Sequence, residues 1–297
     1  MSVVVRRTVG AAAATALLCA GAVACGGSGA SDTNGTKSAA VDSGATRALT
    51  AAYKKTAEAR SAKVAMTMKT PSTLGGGTMK FSGTMGWNPS VMDMTMKGSG
   101  FGSGAADMPS TVRMIMQDGA MYVDGGAAAA RKTDGKRWMK LDLAVLGKQS
   151  GGFGSLDQDP AQQIAVLLDS PNLKHLGSAT VDGERTEHYK GTLTVEEMLN
   201  SNDSLKALGA DERSRFLKNV EKAGIKDYDT ELWVNEDDLP VRMDVTMGTS
   251  QGAVEMSETF SDYGAAVHVD VPPAGQTYDL MDSLGKLGKL GKGTLQG

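Results

Sequence analysis

Residues 91–97 read Val-Met-Asp-Met-Thr-Met-Lys, with a methionine at every second position (Met92, Met94 and Met96). Successive side chains of an extended strand point to opposite faces, so this spacing gives one apolar face and one polar face. A helix would need apolar residues three or four positions apart. The stretch therefore predicts a β-strand that covers a core on one side and meets water on the other.

The same alternation continues in the neighbouring segments. Its apolar positions are Val64, Met66 and Met68, then Met79, Phe81 and Met85, then Val112, Met114 and Met116. Turn dipeptides follow or separate these segments, namely Asn88-Pro89, Asp118-Gly119, Asp124-Gly125, Asp134-Gly135 and Asp182-Gly183. Such pairs are typical of tight turns and hairpins. Further strands are predicted over about 173–181, 186–193, 229–235, 241–247 and 254–263.

Three segments have helical spacing instead. They cover about 46–60, the stretch from Asp159-Pro160 to just before Pro171, and 195–223, where Gly209 interrupts one or two helices. With about ten antiparallel strands, the chain is predicted to form an α+β domain built on one large curved sheet. A single domain of about 230 residues is within the usual range.

The N-terminus has the parts of a secretory signal. Arg6 and Arg7 precede an uncharged run over 9–24, which is shorter than the ~20 residues of a membrane span. The run ends in Ala22-Val23-Ala24-Cys25, which resembles the lipobox where a cysteine receives a diacylglycerol. We expect a signal peptide over 1–24 and lipid attachment at Cys25. The alternative is an ordinary signal peptide cleaved near Ala24, which would leave a free thiol.

The rest of the chain divides by composition. Residues 25–45 contain the lipidated cysteine and a flexible tether rich in Gly, Ser and Ala. The folded domain is expected over 46–280, and a disordered tail with a Leu-Gly-Lys repeat over 281–297. The repeat could also contact a membrane surface. The formal net charge of −3, without a basic stripe, argues against nucleic acid as a partner.

Short motifs in the predicted strands resemble a known family. They are His-Tyr-Lys-Gly at 188–191, Leu-Trp-Val-Asn-Glu-Asp-Asp-Leu-Pro-Val-Arg at 232–242, Phe-Ser-Asp-Tyr-Gly at 260–264, and Val-Asp-Val-Pro-Pro-Ala at 269–274. Together they resemble the LolA-like lipoproteins of actinobacteria, the group related to LppX and LprG, over about 60–280. The resemblance implies a half β-barrel whose concave apolar face is closed by helices over a cavity for acyl chains. It supplies no catalytic residue, metal or cofactor.

The methionine-rich face allows more than one interpretation. If it lines a cavity, the candidate lining residues are Met66, Met68, Met79, Phe81, Met92, Met94, Met96, Met114 and Met116. Methionine is unbranched and polarizable, so it adapts to chains of variable shape. An ordinary core would show the same pattern. Thioether ligation of Cu(I) is a third interpretation, because soft sulfur ligands favour that ion.

The sequence lacks two common catalytic signatures. It has no His-Glu-x-x-His pair and no glycine-rich phosphate loop. Its histidines, His175, His188 and His268, are isolated, and a structural or surface role is expected for His188. The sequence therefore predicts a non-enzymatic lipoprotein at the outer face of the cytoplasmic membrane, which binds and carries a lipid or lipoglycan. The alternative is a tethered module without a lipid cavity, which binds an envelope protein.

Overall fold

The computed structural model describes residues 42–98, 110–144, 159–201 and 227–283, together with 209, 214, 217, 218, 220, 221, 224 and 225. The predicted signal peptide, Cys25, residues 26–41 of the predicted tether and the Leu-Gly-Lys repeat lie outside the described residues. None of the helices in the described part is both long and apolar enough to cross a bilayer.

The α-helices with defined bounds are α1 (Ser43–Ala59), α2 (Gly126–Lys132), α3 (Pro160–Leu168) and α4 (Val195–Ser201). The strands are β1 (Ser61–Thr70), β2 (Gly77–Trp87), β3 (Ser90–Gly98), β4 (Thr111–Gln117), β5 (Ala120–Asp124), β6 (Trp138–Asp142), β7 (Lys174–Val181), β8 (Glu184–Thr194), β9 (Asp227–Asn235), β10 (Pro240–Thr249), β11 (Gly252–Ser261) and β12 (Thr277–Asp279).

All twelve strands belong to one open, curved sheet in the order β12-β6-β5-β4-β3-β2-β1-β11-β10-β9-β8-β7. The predicted fold class, an α+β domain on one large sheet, is confirmed. The sheet is mixed rather than purely antiparallel, because β12 pairs in parallel with β6. It has twelve strands, whereas the sequence predicted about ten. The strands for which the sequence predicted no segment are the short β5, β6 and β12.

The predicted turns at Asp118-Gly119, Asp134-Gly135 and Asp182-Gly183 are confirmed. The aspartate and the glycine of each pair both have positive φ, as a type I′ turn requires. Asp124-Gly125 differs from the prediction, because it precedes a helix instead of turning a hairpin. There the Asp124 carboxylate accepts a hydrogen bond from the Gly126 amide at the start of α2.

Aspartate caps begin the two helices that cover the sheet. Asp42 Oδ1 accepts hydrogen bonds from the amides of Gly44 and Ala45, and Asp159 does the same for Ala161 at the start of α3. Such caps satisfy amides that have no partner within the helix. Pro160 at the first helical position also favours this start, because its fixed φ suits a helix and it has no amide to satisfy.

Helices α1 and α3 pack on the same side of the sheet, and we call that side the inner face. Its core contains side chains from α1, α3 and strands on both sides of the sheet centre, including Leu49, Ile164, Leu167, Val64, Met92, Met94, Leu232 and Met243. The predicted covering of one sheet face by helices is therefore confirmed.

Two hydrogen bonds stabilise the end of the sheet and the packing of α1 against it. The Trp87 indole N–H of β2 donates to the Thr56 carbonyl of α1 over 3.2 Å, and the Tyr263 hydroxyl donates to the Pro240 carbonyl over 2.9 Å. Trp87 and Tyr263 also meet edge to face. These contacts hold α1 against the end of the sheet where β2 finishes.

Candidate functional site

The inner face is apolar over most of the sheet. Strand pairing places Met94 of β3 beside Gly83 of β2 and Met114 of β4, and Met66 of β1 beside Phe81 of β2. All nine residues that the sequence nominated as cavity lining lie on this face, namely Met66, Met68, Met79, Phe81, Met92, Met94, Met96, Met114 and Met116. The structure thus brings them to one surface, and their contact with a ligand stays a prediction.

Burial divides the inner face into two parts. Close to α1 and α3, Val64, Met85 and Met92 are buried in the core. Farther along the same strands, Met68 and Met79 are only partly buried. We call the first part the covered half of the inner face. The second part, which among the described residues is not covered by α1 or α3, we call the uncovered half. The uncovered half also includes Met66 and Met256. Phe81 and Val245 beside it pack against the main core, and Met247 packs against a second, smaller core.

Glu258 lies on the inner face where these two halves meet. The inward positions of β11 are Val254, Met256, Glu258 and Phe260, so a carboxyl group occupies a place that alternation reserves for an apolar side chain. Its cross-strand neighbours are Met66 of β1 and Met243 of β10.

The environment of Glu258 disfavours a charge. The residue is 9% exposed, and among the described residues its carboxyl has no hydrogen-bond or ion-pair partner. Burial raises the pKa of Glu258 from 4.5 to about 7. Burial also raises the pKa of Tyr263, and the nearby charge of Glu258 raises it further. Near neutral pH this carboxyl therefore exists in both protonation states.

Tyr228 is a second buried polar side chain on the inner face. Among the residues that the structure describes, its hydroxyl has no hydrogen-bond partner, and burial raises the pKa of Tyr228. It pairs with Leu193 and Met247 across the sheet and packs against Leu199 and Val220. These contacts place Tyr228 in a second, smaller core beneath α4.

The opposite, outer face is polar over the central strands. Ion pairs lie along it, including Lys69–Glu255 at 3.1 Å and Lys190–Glu231 at 2.9 Å. His188 donates to or accepts from Glu231 over 2.8 Å, and its ring stacks on Trp233 with centroids 4.2 Å apart. These contacts fit the structural role that the sequence predicted for His188.

A shallow cleft of about 170 Å³ lies at one end of β8 and β9. Drug-sized ligands usually occupy pockets of about 300–1,000 Å³. None of the predicted cavity residues lines it. The lining residues are Arg185, Thr186, Glu187, Val234, Asn235 and Glu236. The uncovered half of the inner face, with Glu258 at its boundary, is therefore the stronger candidate site.

Sequence reasoning missed Glu258, although a signal for it was present. Val254, Met256 and Phe260 define the apolar register of β11, and Glu258 falls in that register. A charged residue on the apolar side of an alternating strand is the feature to look for.

No protein-family model matches the chain. The chain is 29% identical to an uncharacterized 31.2 kDa protein of Streptomyces griseus, over 80% of this chain and 79% of that protein. It is 27% identical to a putative lipoprotein of Streptomyces coelicolor, over 57% of this chain and 51% of the relative. The predicted resemblance to actinobacterial lipoproteins is confirmed.

Two mycobacterial crystal structures are similar to the chain. Lipoprotein LppX of Mycobacterium tuberculosis matches with a TM-score of 0.47 and 15% identity, over 77% of this chain and 100% of that chain. LprF of Mycobacterium bovis matches with a TM-score of 0.41 and 16% identity, over 79% of this chain and 99% of that chain.

Proposed function

We propose that the protein is an exported lipoprotein, anchored at the outer face of the cytoplasmic membrane by a diacylglycerol on Cys25, and that it binds and carries the acyl chains of a lipid or lipoglycan. The observation that carries this proposal is the uncovered half of the inner face. The lipobox-like Ala22-Val23-Ala24-Cys25 supports the anchor. So does the description of the Streptomyces coelicolor relative as a putative lipoprotein.

The chemistry of the inner face suits acyl chains. Partly buried methionines line the uncovered half, and transfer of each methylene from water to an apolar surface is worth about 0.8 kcal/mol. Methionine side chains adapt to chains of different length and saturation. Binding would therefore be passive and driven by burial.

A form of the protein that begins at Gly26 retains every described residue and lacks Cys25. We expect native mass spectrometry of this form, purified gently from cells, to show a bound lipid of defined mass. We also expect it to accelerate lipid transfer between vesicles. Protein that stays empty after incubation with envelope lipids, and transfers none, would instead favour the tethered protein-binding module.

A charge on the uncovered half should weaken binding. We expect Met68→Glu to reduce the affinity for a fluorescent acyl probe at least tenfold, because the carboxylate would have to lose water when the acyl chain covers it. Thr67→Glu is the matched control, since Thr67 is adjacent on β1 but points to the outer face. Equal affinities of the two variants in a fluorescence titration would contradict the assignment of the site.

Replacement of the proposed anchor residue tests localisation. We expect Cys25→Ser to move the full-length protein from the membrane fraction to the soluble exported fraction, because the acyl chains supply the membrane affinity. Fractionation and metabolic labelling with a fatty acid measure this change. A wild-type chain that takes up no labelled fatty acid would overturn lipid attachment at Cys25.

A further inference from the structure

We propose that Glu258 couples ligand binding on the inner face to protonation, so that the protein takes up a proton when an amphiphile covers this residue and releases the amphiphile more readily when the carboxyl ionises. The inference rests on the proposed lipid-binding function and adds to it a specific residue and a means of loading and release.

Glu258 lies at the boundary between the two halves of the inner face. It lies between Met66 and Met243, with the covered half of the inner face on one side and the uncovered half on the other. An acyl chain on the uncovered half would therefore lie against this carboxyl. The ligand would remove water that now reaches the uncovered half.

The Glu258 carboxyl has no polar partner among the described residues. Among the described residues, Glu258 has no hydrogen bond and no ion pair, although it is 9% exposed. A buried carboxylate without a cation or donor is costly, whereas a neutral carboxyl group costs much less. Covering the residue with an apolar ligand therefore favours the protonated form further.

Among the described residues, the strands and helices around Glu258 supply no compensating positive charge. Lys63 and Lys69 of β1 and Arg242 of β10 point to the outer face, where each lies near an acidic residue. In α1, the charged side chains Arg47, Lys54, Lys55 and Glu58 are exposed, and Tyr53 is the titratable residue on the packed side. α3 contains no titratable side chain. Tyr263 is buried near Glu258 and is neutral in this range, because burial raises its pKa.

The proton balance fixes the direction of the effect. The free protein has Glu258 half ionised near neutral pH, since burial raises its pKa to about 7. If the ligand binds the protonated form, apparent affinity follows the protonated fraction and falls about tenfold from pH 6 to pH 8. The class of ligand follows from the same argument. The part of the amphiphile that lies beside Glu258 should be uncharged, such as an ester or a hydroxyl. A phosphate or carboxylate at that place would not fit, because a negative charge disfavours ionisation of a neighbouring carboxyl group and is itself disfavoured there.

The test uses the form that begins at Gly26 and the uncharged probe monooleoylglycerol, whose own charge does not change with pH. For the wild type we expect binding about tenfold weaker at pH 8 than at pH 6. Glu258→Gln should bind with the same affinity at both pH values, close to the wild-type affinity at pH 6. Glu255→Gln is the matched control on the same strand, because Glu255 lies on the outer face with Lys69, and it should keep the wild-type pH dependence.

Two outcomes separate the proposals. If all forms bind the probe equally at both pH values, proton coupling by Glu258 is overturned while the lipid-binding function stands. If neither the wild type nor Glu258→Gln binds monooleoylglycerol or any envelope lipid at either pH, the lipid-binding function itself fails.

Discussion

Glu258→Leu is expected to raise the free energy of unfolding at pH 8 by up to about 3 kcal/mol. In the unfolded chain the carboxyl titrates near 4.5, whereas burial raises its pKa in the folded protein to about 7. Between these values the folded state binds more protons than the unfolded state, so the wild type loses stability as pH rises from about 4.5 to about 7. A difference of this size in pKa corresponds to about 3 kcal/mol. Leucine removes the charge and matches the neighbours Met66 and Met243.

Urea denaturation at pH 5, 6 and 8 measures this effect. The wild type should become less stable along this series, and Glu258→Leu should show a smaller change. Glu255→Leu serves as a control, because that exposed residue pairs with Lys69 on the outer face and such pairs contribute little. If the wild type gains stability from pH 5 to pH 8 by the same amount as Glu258→Leu, burial of an uncompensated carboxyl is not a feature of the folded protein.

Leu49→Ala is expected to destabilise the protein by about 2–5 kcal/mol, the usual range for a leucine removed from a core. Leu49 is fully buried and belongs to the core that α1, α3 and the covered half of the inner face share. Its truncation would leave a cavity between the helix layer and the sheet.

Denaturation curves of two further variants make this result specific. Leu49→Met keeps most of the volume and should cost less than about 1.5 kcal/mol. Lys54→Ala changes an exposed position of the same helix and should shift stability by less than about 0.5 kcal/mol. A loss in Lys54→Ala as large as that in Leu49→Ala would mean that packing against the sheet does not explain the effect.

The strands that the sequence predicted best are those with clear alternation. Met92, Met94 and Met96 of β3 are all buried on one face, and Met66 and Met114 lie on the same face in the neighbouring region. Alternation is a local property, so sequence alone suffices to find it. The short strands β5, β6 and β12 have five, five and three residues, too few for a periodic signal.

The candidate site was harder to predict, because the environment of Glu258 is formed by residues that are distant in sequence. Met66 and Glu258 lie far apart in sequence, near the two ends of the folded domain. Only the pairing of β1 with β11 places them side by side. A glutamate in a strand is most often exposed, so the outer face was the natural expectation for it. The extent to which helices cover the inner face also depends on tertiary packing, which periodicity does not report.

The strand order has a consequence for how the molecule folds. Strands β1 to β6 form one run of neighbouring strands and β7 to β11 another, and the two runs meet at the β1–β11 pair. There the Thr259 hydroxyl donates to the Ala65 carbonyl, 194 positions away in sequence. Contacts of such long sequence separation carry a large loop-closure entropy and slow folding. Most neighbouring strands within each run are also consecutive in sequence, and the β1–β11 junction, where Glu258 lies, is expected to form last and to limit the refolding rate.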